Sequence, residues 1–124
     1  MSHPKYSIIV PVYNRPDEVD DLLKSLSSQK EQNFEVIIVE DGSAIPCKQI
    51  VNQYNNLLSI SYYSKQNTGP GTTRNYGAQR AKGDYFIFFD SDCIIPPKYF
   101  CEVESELNAN PVDAFGGPDS AHSS

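Results

Sequence analysis

Two carboxylates separated by one residue, Asp90 and Asp92, follow an apolar run at residues 85–89 and could bind a divalent cation. Alternate residues of an extended strand point to the same face, so the spacing predicts that both carboxylates face one ligand beyond the strand. Hard cations such as Mg²⁺ are often held by one or two carboxylates, with phosphates and waters completing the coordination. The Asp-Ser-Asp segment is equally typical of a solvated turn or a helix cap.

A second acidic pair, Glu40 and Asp41, follows another apolar run at residues 34–39. Asp41 precedes Gly42, so it could simply form a turn, or it could accept a ring N–H of a nucleotide base. A hydrogen bond to a charged group contributes about 1.5–3 kcal/mol, which corresponds to roughly ten- to a hundredfold in affinity. Such a bond is enough for base selectivity. Glu40 is more ambiguous, since a single acidic residue at a strand end is usually solvated.

A Gly-Pro-Gly turn beginning at Gly69 precedes a predicted helix and could present backbone N–H groups to phosphate oxygens. It lacks the Lys-Ser/Thr pair of a P-loop and the glycine spacing of a dinucleotide-binding fingerprint. Arg74 lies in the first turn of that helix, where a positive charge opposes the helix dipole. We therefore expect Arg74 to pair with Asp41 or a ligand phosphate, unless it is merely solvated. Tyr13 could stack on a base or cap the core.

The elements that must position these residues alternate between strands and helices. Apolar residues spaced i, i+3, i+4, i+7 from Val19 to Leu26 predict an amphipathic helix from Pro16 to about Gln29. The patterns predict strands at residues 6–12, 34–39, 57–64 and 85–89, and helices at 48–54, at 69–82 and from Pro96–Pro97 onward. A fifth strand could begin at 114–117. Continuous apolar strands alternating with helices indicate an α/β fold, with a mainly parallel open sheet covered by helices on both faces.

In open parallel sheets, ligands bind in the crevice beyond the carboxyl ends of the strands. The unusual polar residues of this chain follow those ends, and we expect them to gather at one edge. They are Tyr13 and Asn14 after the first strand, Glu40 and Asp41 after the second, Asn67 to Arg74 after the third, and Asp90, Ser91 and Asp92 after the fourth.

Composition sets the limits of these hypotheses. The 124 residues fit one domain, and a net charge of −6 argues against nucleic acid, whose binders usually carry a basic patch. An acidic protein that binds a diphosphate would need a local positive charge, which a metal at Asp90 and Asp92 would supply. No apolar run reaches the length of a membrane span, and no secretory leader is visible, so we expect a cytoplasmic location.

The three cysteines, Cys47, Cys93 and Cys101, form an odd set without Cys-x-x-Cys spacing. This pattern argues against a disulfide framework or a zinc site. We expect each cysteine to behave as a small buried hydrophobic residue in a reducing compartment.

With these residues in place, the chain resembles the N-terminal half of a family 2 glycosyltransferase with the GT-A fold. The resemblance covers nearly the whole chain and rests on four ordered motifs, which are far more specific together than any one alone. They are residues 7–15 (Ser-Ile-Ile-Val-Pro-Val-Tyr-Asn-Arg), 39–43 (Val-Glu-Asp-Gly-Ser), 67–77 (Asn-Thr-Gly-Pro-Gly-Thr-Thr-Arg-Asn-Tyr-Gly) and 88–92 (Phe-Phe-Asp-Ser-Asp), followed by Pro96.

The resemblance implies a Rossmann-like domain over residues 1–117, truncated relative to the family, with a flexible polar tail at 118–124. It implies a nucleotide-diphosphate-sugar donor, preferably a UDP-sugar and alternatively a GDP-sugar. The residues implied to contact this sugar donor are Pro11, Val12, Tyr13, Asn14, Glu40, Asp41, Asn67, Gly69, Arg74, Asp90 and Ser91.

The resemblance also implies individual roles within that set. Pro11 to Tyr13 would line the base and ribose, Asp41 would accept the base N–H, and Arg74 would lie beside the base and diphosphate. Asp90 would lean towards the ribose, and Asp92 would be the direct ligand of Mn²⁺ or Mg²⁺. The metal would bridge the diphosphate and stabilise the leaving nucleoside diphosphate.

Family members mostly invert the anomeric carbon in one displacement, with a carboxylate base that deprotonates the acceptor hydroxyl. That base normally comes from the second half of the domain, so we expect this chain to bind a nucleotide and to transfer sugar poorly. Asp119 is the one candidate base within the chain. The implied acceptor is a glycan or a lipid-linked glycan in cell-envelope polysaccharide biosynthesis, at the inner face of the membrane through a C-terminal region.

Two other functions compete with this one. The fold could serve as a non-catalytic nucleotide-sugar-binding module, for which tight metal-independent binding would be the sign. A phosphoacceptor receiver-like domain also uses acidic residues at strand ends. It would normally show a Lys after the last strand and an acidic pair after the first, and the sequence has neither.

Overall fold

The structure is a computed structural model that describes residues 4–109. The predicted strand at 114–117, the tail at 118–124 and Asp119 lie outside the described residues. The elements are β1 (Tyr6–Val12), α1 (Pro16–Ser27), β2 (Phe34–Asp41), α2 (Lys48–Gln53), β3 (Ile60–Lys65), α3 (Pro70–Ala78), β4 (Tyr85–Phe88) and α4 (Tyr99–Ala109).

The four strands form one sheet in the order β3-β2-β1-β4, and every neighbouring pair is parallel. Helix α3 packs on one face, over Ile9, Ile37 and Val39. Helices α1, α2 and α4 supply apolar residues to the larger core on the other face. The predicted α/β fold, with a parallel sheet covered on both faces, is therefore confirmed, and all strand carboxyl ends lie at one edge.

Three element boundaries differ from the prediction by about three residues or more, each where a turn replaces the helix or strand pattern. β3 begins at Ile60 because the N–H groups of Leu57 and Leu58 donate to the carbonyl of Tyr54, 3.0 and 2.9 Å away, and extend the α2 turn. α3 ends at Ala78, where three-residue turn bonds replace the helical ladder. α4 begins at Tyr99, because residues 97 and 98 form a turn in which the Tyr99 N–H donates to the carbonyl of Pro96 at 3.0 Å.

Two glycines allow the close contacts that shape the carboxyl edge. A Cβ on Gly77 of α3 would lie 2.7 Å from Ile9 Cγ2, so only glycine lets this helix approach β1 so closely. Gly42, with φ +72°, follows β2, and a Cβ there would lie 2.7 Å from the backbone nitrogen of Asn67. The turn after β2 and the loop after β3 are thereby brought into direct contact.

Helix α4 is tied to the start of β1 by a half-buried polar contact. Glu104 Oε1 accepts hydrogen bonds from Lys5 Nζ at 2.7 Å and from the Tyr6 hydroxyl at 2.8 Å. The Phe100 ring stacks on Phe34 with centroids 4.7 Å apart. These contacts fix the chain that follows the Asp90-Ser91-Asp92 segment against the core. None of the helices within residues 4–109 has the length and apolar character needed to span a membrane.

None of the three cysteines forms a disulfide, and they differ in burial. Cys47 is buried, Cys93 is half-buried and Cys101 is exposed on α4. The expectation of a buried cysteine is confirmed for Cys47 and wrong for Cys101, whose helical position faces away from the side that carries Phe100 and Val103.

Candidate functional site

A cleft of about 360 Å³ opens at the carboxyl edge of the sheet. Except for Pro70, every residue that lines it belongs to the set selected from the sequence. The lining residues are Pro11, Val12, Tyr13, Asp41, Asn67, Gly69, Pro70, Arg74, Asp90 and Ser91. The prediction that these strand ends meet at one edge is confirmed. Asn14, Glu40 and Asp92 do not line the cleft.

Asp41, the last residue of β2, is the most constrained side chain in the cleft. Its Oδ1 accepts hydrogen bonds from the Thr68 N–H at 2.8 Å and from Lys65 Nζ at 3.1 Å, and its Oδ2 accepts the Gly69 N–H at 3.0 Å. The residue is only 4% exposed. Since a carboxylate offers about four lone-pair sites, one acceptor site remains on Oδ2.

The charge state of Asp41 follows from these contacts. Burial by itself raises the pKa of the carboxyl group, but the hydrogen bonds from the Thr68 N–H, from Lys65 and from the Gly69 N–H outweigh burial and lower the pKa below its ordinary value. Asp41 is therefore an anion at neutral pH, held in one orientation. It can accept a further N–H and cannot donate a proton.

The glycine turn does not present its amides as the sequence predicted. The N–H of Gly69, at φ +99°, is used by Asp41, and Pro70 has no N–H. The expectation that Gly69 offers its amide to a phosphate is therefore wrong. Only the N–H groups later in the first turn of α3, from Gly71 and Thr72, lack an intrahelical acceptor by helix geometry.

Arg74 pairs with Asp90 and not with Asp41. Arg74 Nη2 lies 3.2 Å from Asp90 Oδ1, with the two side chains 38% and 54% exposed. The cation beside Asp41 is Lys65. An ion pair this exposed contributes little to stability because water screens it, so both groups remain free to exchange partners with a ligand.

The prediction that strand alternation points Asp90 and Asp92 to one face is wrong, although Asp90 does line the cleft. β4 ends at Phe88, and the Cys93 N–H donates to the carbonyl of Asp90 at 3.1 Å, so the two carboxylates lie in a turn. Strand alternation does not orient them. The turn is held to α1 by the Ser91 hydroxyl, which donates to Glu18 Oε1 at 3.0 Å.

The donor set of this turn still fits a hard divalent cation. Asp90 and Asp92 are exposed and supply carboxylate oxygens, the atoms that Mg²⁺ and Mn²⁺ prefer. Over residues 4–109 no group of three or more His, Cys, Asp or Glu side chains could hold a metal ion by itself. A cation here would therefore need ligand phosphates and waters to complete its coordination.

Glu40 is buried, so the expectation that it is solvated is wrong. It is 1% exposed, and its carboxylate accepts hydrogen bonds from the Ser43 hydroxyl, the Cys47 N–H and the Tyr62 hydroxyl. The physical reason is that β3 and the loop after β2 enclose this strand end. Glu40 therefore organises the loop behind the cleft and makes no contact with the cleft itself.

Asn14 likewise supports the cleft from behind. Its backbone has φ +54°, which Asn tolerates better than most residues. Its Oδ1 accepts the N–H groups of Ala44 and Ile45 at 2.7 and 3.0 Å, and its own N–H donates to Ser43 Oγ at 2.8 Å. Asn14 thus joins the loop after β1, which carries Tyr13, to the loop after β2.

Sequence reasoning missed Lys65 and the roles of Thr68 and Thr73. Lys65 and the Thr68 N–H hold Asp41 in place, and Thr73 Oγ1 accepts a hydrogen bond from Lys65. Lys65 could have been found as a cation at the end of the third strand, at the position that pairs with acidic Asp41 at the end of the second strand. The structure pairs Asp41 with Lys65 directly across β2 and β3.

Comparison with known proteins shows extensive similarity. The sequence profile described as glycosyl transferase family 2 matches residues 7–121. An uncharacterized glycosyltransferase of Rickettsia bellii is 38% identical over 88 residues, which are 71% of this chain and 13% of that protein. The poly(ribitol-phosphate) beta-N-acetylglucosaminyltransferase TarS of Staphylococcus aureus is 39% identical over 92 residues, which are 71% of this chain and 16% of TarS.

Solved structures show the same similarity in three dimensions. The crystal structure of TarS 1–349 in complex with UDP-GlcNAc matches with a TM-score of 0.80 at 34% identity, over 85% of this chain and 31% of that one. A mannosyltransferase from Pyrobaculum calidifontis, in complex with GDP-Man and Mn²⁺, matches with a TM-score of 0.76 over 90% of this chain and 34% of that one. At 20% identity the second match bears on the fold alone. The chain spans well under half of each of these proteins.

Proposed function

The chain belongs to glycosyl transferase family 2 and has the nucleotide-binding half of the GT-A fold, and from this premise we propose that its cleft is the sugar-donor site of a longer enzyme. The observation that carries the proposal is the meeting of Tyr13, Asp41, Arg74 and Asp90 in one cleft. The Tyr13 ring suits stacking on a base, and the fixed Asp41 anion suits a base N–H. The Arg74 cation suits a diphosphate, and the solvated Asp90 carboxylate suits a metal ion.

The base is proposed to bind between Tyr13 and Asp41. Tyr13 lines the cleft and is 53% exposed, so its ring would be accessible for stacking. The remaining lone pair on Asp41 Oδ2 would accept a ring N–H. Pro11, Val12 and Asn67 complete the walls around the base and ribose, while Asn14 and Glu40 act from behind the cleft.

The diphosphate is proposed to bind at Arg74, near Asp90. Arg74 supplies planar guanidinium donors that suit phosphate oxygens. In this arrangement Arg74 leaves Asp90 when the diphosphate binds, which frees the Asp90 carboxylate. Asp90 and Asp92 would then hold Mn²⁺ or Mg²⁺, and Asp90 would also approach the ribose.

A divalent metal at this position would neutralise the diphosphate and so stabilise it as a leaving group. The role of this chain is to bind and orient the nucleotide-sugar so that its anomeric carbon is open to an acceptor hydroxyl. We infer that transfer proceeds with inversion and that the general base lies beyond the described residues, with Asp119 as one candidate. The predicted acceptor is a glycan or lipid-linked glycan of the cell envelope. The predicted location is the cytoplasmic face of the membrane.

A UDP-sugar is the preferred donor in this proposal. The support is that TarS, 34% identical in the matched region, was crystallised with UDP-GlcNAc. A uracil ring N–H also suits the single free acceptor site on Asp41. A GDP-sugar would present a ring N–H as well and is the second choice.

Calorimetric titration of the 124-residue chain with UDP and GDP, with and without Mn²⁺, tests the proposed function. We expect UDP to bind more tightly than GDP and Mn²⁺ to strengthen the binding of both. The Asp17→Asn variant, which changes an exposed carboxylate of α1, is the control and should bind like the unmodified chain. Absence of nucleotide binding, or tight binding that Mn²⁺ does not affect, would contradict the proposal. Efficient sugar transfer by this chain would contradict the inferred position of the base.

A further inference from the structure

Lys65, at the end of β3, contacts the one carboxylate of the cleft that is buried. Its Nζ lies 3.1 Å from Asp41 Oδ1, and its side chain is only 12% exposed. We propose that Lys65 is a positioning residue for base selection, which holds the Asp41 carboxylate charged and oriented so that the cleft accepts bases with a ring N–H. This inference rests on the proposed function and adds to it a residue that does not itself touch the nucleotide.

The ammonium group of Lys65 is held from several directions. Besides Asp41 Oδ1, its three N–H groups are shared among the carbonyl of Gln66 at 2.7 Å, the Thr68 hydroxyl, and Thr73 Oγ1 at 3.4 Å. These acceptors belong to the loop after β3 and to helix α3. A lysine side chain normally retains much rotamer freedom, and here four acceptors remove it. Lys65 therefore acts as a fixed charge.

The position of Lys65 is determined by the sheet. Asp41 and Lys65 are register partners across the parallel β2–β3 pair, so their side chains leave the sheet edge side by side. Because the backbone sets this pairing, the ammonium lies beside Oδ1 before any ligand arrives. Such preorganisation lowers the cost of orienting Asp41 during binding.

Occupation of Oδ1 leaves the ligand one acceptor site. Lys65 and the Thr68 N–H both donate to Oδ1, while Oδ2 receives only the Gly69 N–H. A base that presents a ring N–H, such as uracil or guanine, can use the free site on Oδ2. Cytosine presents an unprotonated ring nitrogen at the equivalent position, and two lone pairs would then face each other. A site built to accept an N–H strongly rejects analogues that lack it.

The positive charge of Lys65 maintains the discrimination between bases with and without a ring N–H. Burial favours the neutral carboxylic acid, and a neutral Asp41 could donate its proton to the cytosine ring nitrogen. Together with the Thr68 and Gly69 amides, the ammonium reverses this preference and keeps the pKa of Asp41 below its ordinary value. Without Lys65 the carboxyl group would be more easily protonated and less firmly oriented.

Calorimetric titration of the Lys65→Met chain with UDP and with CDP, both in Mg²⁺, tests this inference. Methionine preserves the apolar stem of lysine and removes the charge. We expect UDP affinity to fall by about ten- to a hundredfold, the effect of one charged hydrogen bond, and CDP affinity to change much less. Lys82→Met removes an equal charge from an exposed side chain and should leave both affinities unchanged.

The ratio of UDP to CDP affinity decides between base selection and a merely structural role. An equal fall in both affinities, or an unchanged ratio, would overturn the inference while leaving the proposed function intact. If Lys65→Met does not fold, Lys65→Gln keeps N–H donors for the loop without the charge and should lower the ratio in the same way. Failure of the unmodified chain to bind UDP at all would instead overturn the proposed function, and the inference with it.

Discussion

Arg74 and Asp90 join the second turn of α3 to the turn after β4, with Nη2 and Oδ1 3.2 Å apart. The pair matters because each partner is proposed to exchange the other for part of the ligand, Arg74 for the diphosphate and Asp90 for the metal. Metal and nucleotide should therefore bind cooperatively. When the diphosphate takes Arg74, it leaves the Asp90 carboxylate free for the metal, and when the metal takes Asp90, it leaves Arg74 free for the diphosphate.

Asp90→Asn should change nucleotide binding in opposite directions with and without metal. In Mn²⁺, UDP affinity should fall by about tenfold or more, the effect of one lost charged ligand. In EDTA, UDP affinity should rise, because the variant removes a negative charge that repels the diphosphate and competes for Arg74. Calorimetry under the two conditions measures both effects. A change of the same sign in both would contradict the proposed exchange of partners.

Asp92→Ala should abolish the effect of Mn²⁺ on UDP binding while leaving the melting temperature nearly unchanged. Asp92 is exposed in the turn after β4, so its removal costs the fold little. Thermal unfolding and calorimetry on the same preparation separate the two properties, with Asp17→Ala as the matched exposed control. A large drop in melting temperature with unaltered affinity would show that Asp92 is structural.

Gly77→Ala should destabilise the fold. The added Cβ would lie 2.7 Å from Ile9 Cγ2 and force α3 away from β1, at a cost of about 1–3 kcal/mol. Gly71→Ala is the control, because a Cβ there meets nothing within 4 Å. It should leave stability unchanged or raise it by up to about 1 kcal/mol through better helix propensity. Urea unfolding of both variants tests the contrast, and equal stabilities would show that α3 is not held as described.

Glu104 should make the stability of the chain depend on acid. The hydrogen bond from Lys5 lowers the pKa of this carboxyl, burial opposes that shift, and the Tyr6 hydroxyl adds to it, with a net lowering from 4.5. A lowered folded-state pKa gives stability that is present above 4.5 and is lost as the pH falls through the folded-state value. Glu104→Gln should lower stability at neutral pH and flatten this acid dependence.

Urea unfolding between pH 7 and pH 2.5 measures that dependence. Asp41, whose pKa is also lowered from 3.8, contributes in the same direction, so some acid sensitivity should persist in Glu104→Gln. Glu106→Gln alters an exposed carboxylate on the same helix and should leave the curve unchanged. If the two variants behave alike, the contact of α4 with Lys5 and Tyr6 is not stabilising.

Most of the fold was predictable because it follows from local pattern. The apolar spacing from Val19 to Leu26 predicts α1, and all four residues of that stripe are buried. Continuous apolar strands predict parallel neighbours, and β1 and β2 are buried along nearly their whole length. Boundaries were harder to predict. The ends of β3, α3 and α4 depend on which turn bonds compete with the regular ladder, and that competition has no periodic signal.

The sequence by itself determined the fold class, the family and the edge of the sheet at which the polar residues meet. Parallel strands place all their carboxyl ends together whatever their order in the sheet. Only the tertiary structure decided which charged side chains form ion pairs with each other. Asp41 meets Lys65, 24 residues away in the chain, because β2 lies beside β3, and Arg74 meets Asp90 because α3 and the turn after β4 share one cleft. Glu40 is buried because neighbouring elements cover it, since burial depends on which strands become neighbours in space.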